Sequence, residues 1–90
     1  MFRMWAREWK DSRLVKDCVI ENDKKDTRTH KVFDAIDEVC RQFDLATPIW
    51  LENQIEEFQR HAKVRFYQDS FIEQIPFDYL EIQIIEEDGF

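Results

Sequence analysis

The sequence is poor in the residues that interrupt regular structure, with one glycine and two prolines among 90 residues. This scarcity excludes a low-complexity or collagen-like chain. There is no run of about 18 apolar residues, the length that a membrane-spanning helix needs. Charged side chains also interrupt residues 1–10, where a signal peptide would have an apolar core. We therefore expect a cytoplasmic protein that does not contact a membrane, folded as a single domain over residues 1–90.

Cysteine is scarce as well, and the sequence contains no motif of a known catalytic centre. Cys18 and Cys40 both lie among apolar residues, a setting typical of reduced, buried thiols in a cytosolic protein. The sequence has no Gly-x-Ser-x-Gly, Cys-x-x-Cys or zincin pattern. We therefore predict a non-enzymatic protein with no catalytic residues and no cofactor.

Apolar and charged residues are both abundant. Hydrophobic residues make up 43% of the chain, and eight of its residues are phenylalanine. This content predicts a folded core despite the 37% of residues that are charged.

The net charge of −7 is unevenly distributed along the chain. Residues 1–31 have nine basic and six acidic side chains, whereas residues 32–90 have four basic and fourteen acidic ones. One interpretation is that the two parts form complementary surfaces of one fold. The alternative is an acidic mimic or inhibitor that occupies a nucleic-acid-binding protein through the carboxylates of residues 73–88. The excess of carboxylates argues against general nucleic-acid binding by this chain.

Alternation of apolar and polar residues predicts three strands. Residues 2–9 alternate with period two, and the turn residues Asp11 and Ser12 lead to a second β-branched segment. We predict an N-terminal hairpin over residues 2–20. Residues 77–86 alternate in the same way and predict a C-terminal strand with Phe77 on its outer side.

Two segments have helical periodicity. The first is predicted over residues 27–43, capped by Asp26 or Thr27, with an apolar stripe formed by Val32, Phe33, Ile36, Val39, Cys40 and Phe43. The second is predicted over residues 48–62, with Pro48 in its first turn and an apolar face formed by Leu51, Ile55, Phe58 and Ala62. Residues 63–68 fit either a continued helix or a short extended segment.

These elements predict an α+β fold of order ββααβ. Both helices would cover one face of a three-stranded antiparallel sheet in a small two-layer domain. The other face of the sheet would be exposed.

The first candidate site lies on that exposed face. It comprises alternating cations and indoles of the first strand and two residues of the last, namely Arg3, Trp5, Arg7, Trp9, Tyr79 and Glu81. One interpretation is that they only stabilise the sheet through contacts across strands. A second is a protein-binding surface, since Trp and Arg are enriched at binding hot spots. A third, a platform for single-stranded nucleic acid, is disfavoured by the net charge.

The second candidate is the only basic cluster of the acidic part, formed by Arg60, His61, Lys63 and Arg65. Favourable interaction of these cations with the C-terminal end of a helix is one explanation. The functional alternative is a small anion-binding domain or enzyme, in which the two arginines chelate a phosphate or carboxylate.

A third cluster consists of His30, Asp34 and Asp37, which helical spacing places on one stripe. Such a trio can hold a divalent metal ion. Exposed helix faces produce similar trios without metal, and no second histidine or cysteine has ligand spacing. We therefore predict no metal site.

Three segments resemble a family of small uncharacterised proteins from anaerobic Gram-positive gut bacteria. They are Thr27-Arg-Thr-His-Lys-Val-Phe33, Pro48-Ile-Trp-Leu51 and residues 69–82. The resemblance implies a stand-alone bacterial cytoplasmic protein and transfers no activity or ligand.

The leading hypothesis from the sequence is a protein-interaction module. Its surface would be the exposed sheet face, and its partner either another protein or a second copy of the chain. The acidic mimic is the first alternative and the anion-binding domain the second.

Overall fold

The computed structural model describes residues 1–87 and has the predicted α+β class. In chain order, its elements are β1 Phe2–Lys10, β2 Arg13–Asn22, α1 Arg28–Phe43, α2 Glu52–His61, β3 Lys63–Phe66, a 3₁₀ helix Gln68–Ser70 and β4 Tyr79–Glu86. The four strands form one antiparallel sheet of order β2-β1-β4-β3. The first and last strands are therefore neighbours at its centre.

The hairpin of β1 and β2 is closed by two residues in the left-handed region. Asp11 and Ser12 have φ angles of 52° and 63°, which is the backbone that a two-residue type I′ turn requires. Aspartate tolerates this region because its short side chain can hydrogen-bond locally. The backbone N–H of Asp11 also donates to the carboxylate of Asp78, at 2.8 Å, so the turn is attached to the segment before β4.

The core lies between the sheet and the two helices. Phe2, Met4 and Ala6 of β1 are buried, and they alternate with residues on the opposite face. The helix α1 is capped by Thr27, whose hydroxyl accepts from the N–H of His30 at 3.2 Å. Its apolar stripe is buried against the sheet except for Phe33, which is 47% exposed. The predicted cap, bounds and stripe of this helix are thus confirmed with one exception.

The prediction of three strands is wrong, because residues 63–66 form a fourth. Ala62 ends α2 in the left-handed region, with a φ of 55°, and the chain then reverses alongside β4. Val64 and Phe66 are fully buried, while Lys63 and Arg65 lie on the other face. This strand depends on pairing with β4, a partner distant in sequence.

The second helix begins at Glu52 instead of residue 48. Pro48 is buried in the irregular connection between the helices, and the N–H of Ile49 donates to the carbonyl of Ser70 at 2.7 Å. The face of α2 also differs from the prediction, since Gln54 is buried and Ile55 is 42% exposed. Gln54 is satisfied inside the protein: its side-chain oxygen accepts from the hydroxyl of Ser70, and its amide donates to the carbonyl of Arg65.

The last strand begins at Tyr79, two residues later than predicted. Phe77 does not lie on the outer side, as expected, but packs into the core against Phe71, with ring centroids 6.0 Å apart. The remaining alternation of β4 agrees with the prediction, because Leu80 and Ile82 are buried. Neither helix within residues 1–87 is long and apolar enough to cross a bilayer.

Candidate binding surface on the open face of the sheet

The six residues predicted to form a binding surface lie together on the sheet face opposite the helices, which we call the open face. Residues directly opposite each other in antiparallel strands share a face. Arg7 lies opposite Glu81, and Trp9 lies opposite Tyr79. The sequence therefore correctly places these residues on one face, although their binding role stays a prediction.

Glu81 is the centre of the open face and is only 3% exposed. Its carboxylate is 3.0 Å from Nη2 of Arg7, 2.9 Å from Nε of Arg65 and 3.7 Å from Nζ of Lys63. The indole N–H of Trp9 donates to it at 3.2 Å. A buried carboxylate is stable only when its oxygens are paired in this way.

The environment of Glu81 keeps it ionised. Burial by itself would raise the pKa of Glu81, but the hydrogen bond from Arg65, the charges of Arg7 and Lys63 and the bond from Trp9 hold that pKa below its usual value. Hydrogen bonding to Glu81 in turn raises the pKa of Arg65. Both groups are therefore charged at neutral pH, and the cluster is a fixed ionic network.

A second ionic cluster lies at the other end of the open face. Arg3 Nε is 3.2 Å from the carboxylate of Glu21 in β2, and Arg3 Nη1 is 3.5 Å from Glu86 in β4. With Asp17, which lies opposite Arg7, the face has four carboxylates and four cations among the described residues 1–87. The open face is therefore neutral, and the net charge of −7 lies elsewhere on the molecule.

Aromatic rings lie among these charges. The guanidinium of Arg7 stacks 4.0 Å from the ring centroid of Trp5, whose indole N–H donates to Asp17 at 2.9 Å. The guanidinium of Arg65 lies 4.8 Å from the ring of Tyr79, and Tyr67 packs against the same ring at 5.5 Å. Contacts of these kinds hold the rings in fixed positions, so the face is preorganised.

Sequence reasoning missed the contribution of β2 to this face. Val19 lies opposite Trp5, and Leu14 lies opposite Trp9, and these two aliphatic side chains are 42% and 45% exposed. Pairing outward from the turn residues at 11 and 12 would have placed Leu14 opposite Trp9. It would not have placed Val19 opposite Trp5, because the register shifts by one residue between Glu8 and Trp9.

The four residues of the basic cluster are divided between two elements. Arg60 and His61 are exposed at the end of α2. Lys63 and Arg65 lie in β3 and contact Glu81. The second pair is thus already engaged with a carboxylate of the protein itself.

Two of the three side chains proposed as a trio, those of His30 and Asp37, have other partners. His30 Nδ1 is 3.0 Å from a carboxylate oxygen of Asp26, and Asp37 lies 3.5 Å from the hydroxyl of Thr47. Within residues 1–87, no group of three or more His, Cys, Asp or Glu side chains is arranged to hold a metal ion.

The two cysteines are free thiols. Burial raises the pKa of Cys40 to about 11, and burial together with the charge of Asp17 also raises the pKa of Cys18. Both side chains are therefore protonated at neutral pH, whereas a nucleophilic cysteine needs a lowered pKa.

Several C-terminal carboxylates are also paired. Glu86 contacts Arg3, and Glu87 contacts Arg28 at the start of α1. Asp88, the last acid of the predicted acidic segment, lies outside the described residues.

Comparisons with protein-family models, with curated proteins and with solved structures find no match to this chain. Its function is therefore inferred from the geometry of the molecule.

Proposed function

We propose that the chain is a cytoplasmic, non-enzymatic interaction module, and that its open face binds a second copy of the chain. The observation that supports this proposal is an uncovered sheet face bearing fixed aromatic rings. Trp5, Trp9 and Tyr79 remain partly exposed there, and Leu14 and Val19 extend the apolar surface. Exposed apolar patches of this kind are typical of protein interfaces.

The charge distribution favours a second copy over a partner selected by its charge. Each cation of the open face is matched by a carboxylate of the same face, so a strongly charged partner finds no complementary surface. A symmetric contact between two open faces brings two neutral surfaces together. The remainder of the molecule has the whole net charge of −7 and repels another copy.

The mimicry alternative has weaker support. Glu81, Glu86 and Glu87 would have to be available to a basic partner, but each of them contacts an arginine of this chain. The anion-binding alternative is weakened in the same way, since Arg65 and Lys63 contact Glu81.

Light scattering coupled to size exclusion tests the proposal directly. At about 50 µM protein we expect a mass near twice the monomer value of 11.1 kDa. Combining Trp5→Ala with Val19→Thr removes the apolar centre of the face and should give a monomer. Trp9 is left unchanged, because it donates to the buried carboxylate of Glu81, whereas the acceptor of Trp5, Asp17, is exposed to water.

The matched control is Ile72→Thr, which alters a side chain that is 84% exposed outside the open face. This variant should associate as the unaltered chain does. A monomeric unaltered chain, or equal loss of association in the control, would contradict the proposal.

Ionic strength separates self-association from acidic mimicry. Raising NaCl from about 50 to about 500 mM screens repulsion between two negative molecules and should strengthen the dimer. Binding of an acidic surface to a basic partner would weaken over the same range.

A further inference from the structure

A second glutamate is buried on the helix side of the sheet, and nothing in the proposed function uses it. Glu8 follows Phe2, Met4 and Ala6 on the inner face of β1 and is 2% exposed. Its Oε2 atom is buried and has no hydrogen-bond partner among residues 1–87. Leaving such an atom unpaired costs about 1–3 kcal/mol, so a native structure that retains one calls for an explanation.

Glu8 lines a cavity of about 310 Å³ beside α1 and the segment before β4. Its apolar wall includes Phe43, Phe71 and Phe77, three rings that are themselves buried. The volume lies at the lower end of the range for small-molecule sites.

The charged groups around this cavity define which ligand would suit it. Of the residues that the structure describes, three carboxylates line it, those of Glu8, Asp44 and Glu73, against one cation, Lys16. Lys16 lies directly opposite Glu8 in the strand pairing, and its ammonium group is 5.4 Å from the ring centroid of Phe43. A ring of the cavity wall therefore already has an ammonium ion at its face, an arrangement that cation–π attraction stabilises.

We propose that this cavity binds an alkylammonium ion, the protonated form of a small aliphatic amine. The charged head would pair with Glu8, and the carbon chain would lie among the phenylalanine rings. An anion is disfavoured by the three carboxylates. A metal ion is disfavoured by the apolar walls, since hard cations need several oxygen ligands.

Titration of the full chain with n-butylammonium chloride, followed by two-dimensional amide NMR, tests this site. We expect saturable shifts confined to residues near positions 8, 44 and 73–77. A ligand of this size should bind with a Kd on the order of 1 mM. Glu8→Gln should weaken binding about tenfold or more, since it removes a charge-assisted hydrogen bond. Lys16→Met should strengthen binding by about threefold, since it removes a competing ammonium group.

Matched probes and variants separate this site from general attraction to an acidic protein. At the same concentrations, n-butanol and sodium butyrate should leave the amides of residues 73–77 unshifted. Two exposed positions provide the controls, and Glu56→Gln and Lys24→Met should leave the Kd unchanged. Spectral dispersion verifies that each variant is folded.

The natural source of the ammonium group can be a free amine or a lysine side chain. Nα-acetyl-lysine N-methylamide has the same head group on a peptide unit. Tighter binding of this probe would identify peptide lysine as the source, and tighter binding of n-butylammonium would identify a free amine. A Kd unaffected by Glu8→Gln, equal shifts with n-butanol, or equal weakening by Glu56→Gln would overturn the proposal.

Discussion

Glu81 and Glu8 are both buried in neighbouring strands of the sheet but lie on opposite faces. Glu81, on the open face, is within 4 Å of three cations and accepts from Trp9. Glu8, on the helix face, has an oxygen with no hydrogen-bond partner in the described part of the chain. A glutamate side chain thus has paired oxygens on the open face, whereas on the helix face one of its oxygens is unpaired.

The pKa values of the two groups differ in direction for this reason. Burial raises the pKa of Glu8, and the charge of Lys16 offsets only part of that effect. At Glu81 burial acts in the same sense but is outweighed by Arg65, Arg7, Lys63 and Trp9. The comparison shows that burial alone does not determine the cost of a carboxylate, because its partners determine whether the charge is tolerated.

The largest expected effect is at Glu81. Glu81→Gln should lower the free energy of unfolding by about 3 kcal/mol, since it removes the carboxylate that contacts the side chain of Arg7, which is only 11% exposed. Urea denaturation at pH 7 measures this loss. The exposed control Glu56→Gln should change stability by about 0.5 kcal/mol or less. Equal stability of the two variants would show that the network contributes nothing.

A smaller effect distinguishes the cations around Glu81. The side chain of Arg7 is 11% exposed, whereas that of Arg65 is 42% exposed. Because Arg65 is the more exposed of the two, water can take over the interactions of its guanidinium group more readily than those of Arg7. Arg7→Met should therefore cost about 2 kcal/mol, and Arg65→Met about 1 kcal/mol or less. Equal losses in urea denaturation would contradict this ranking.

The parts of the fold that local sequence determines were predictable. The stripe of α1 and its cap depend on residues within one helix. The stripe is confirmed except at Phe33, and the cap is Thr27, one of the two predicted residues. The fourth strand was not predictable with the same certainty, because residues 63–66 are extended only through pairing with β4. Gln54 is buried for a similar reason, since its partners Ser70 and Arg65 come from other elements.

The candidate site was predictable to the same extent. Period-two alternation placed Trp5 and Arg7 on one face, which the structure confirms. Continuing that alternation from Phe2 through Ala6 places Glu8 on the core side. The local sequence pattern does not indicate whether Glu8 has a hydrogen-bond partner there, because the surrounding groups come from α1 and from residues 73–77. Alternation in the sequence therefore indicates on which face of the sheet a side chain lies, while tertiary contacts determine the free-energy cost of burying it.

The smallest expected effect has the opposite sign and is at Glu8. Because folding raises the pKa of Glu8 above the ordinary value of 4.5, the folded state binds its proton more tightly than the unfolded state does. The contribution of Glu8 to stability is then greatest below pH 4.5 and is lost as pH rises through the folded-state pKa. Glu8→Gln should therefore stabilise the ligand-free protein by about 1 kcal/mol at pH 7.

That advantage should shrink as pH falls and disappear well below pH 4.5, where Glu8 is protonated in both states. For Glu81 the lowered pKa gives the reverse dependence, so the penalty of Glu81→Gln should shrink as pH falls below 4.5. Urea denaturation of both variants and the unaltered chain at several pH values between about 3 and 7 measures the two trends together. If the stability changes caused by the two substitutions varied with pH in the same direction, folding would not shift the pKa values of the two buried carboxylates in opposite directions. Diverging trends would indicate that the chain retains Glu8 despite a cost in stability, as expected of a group kept for binding.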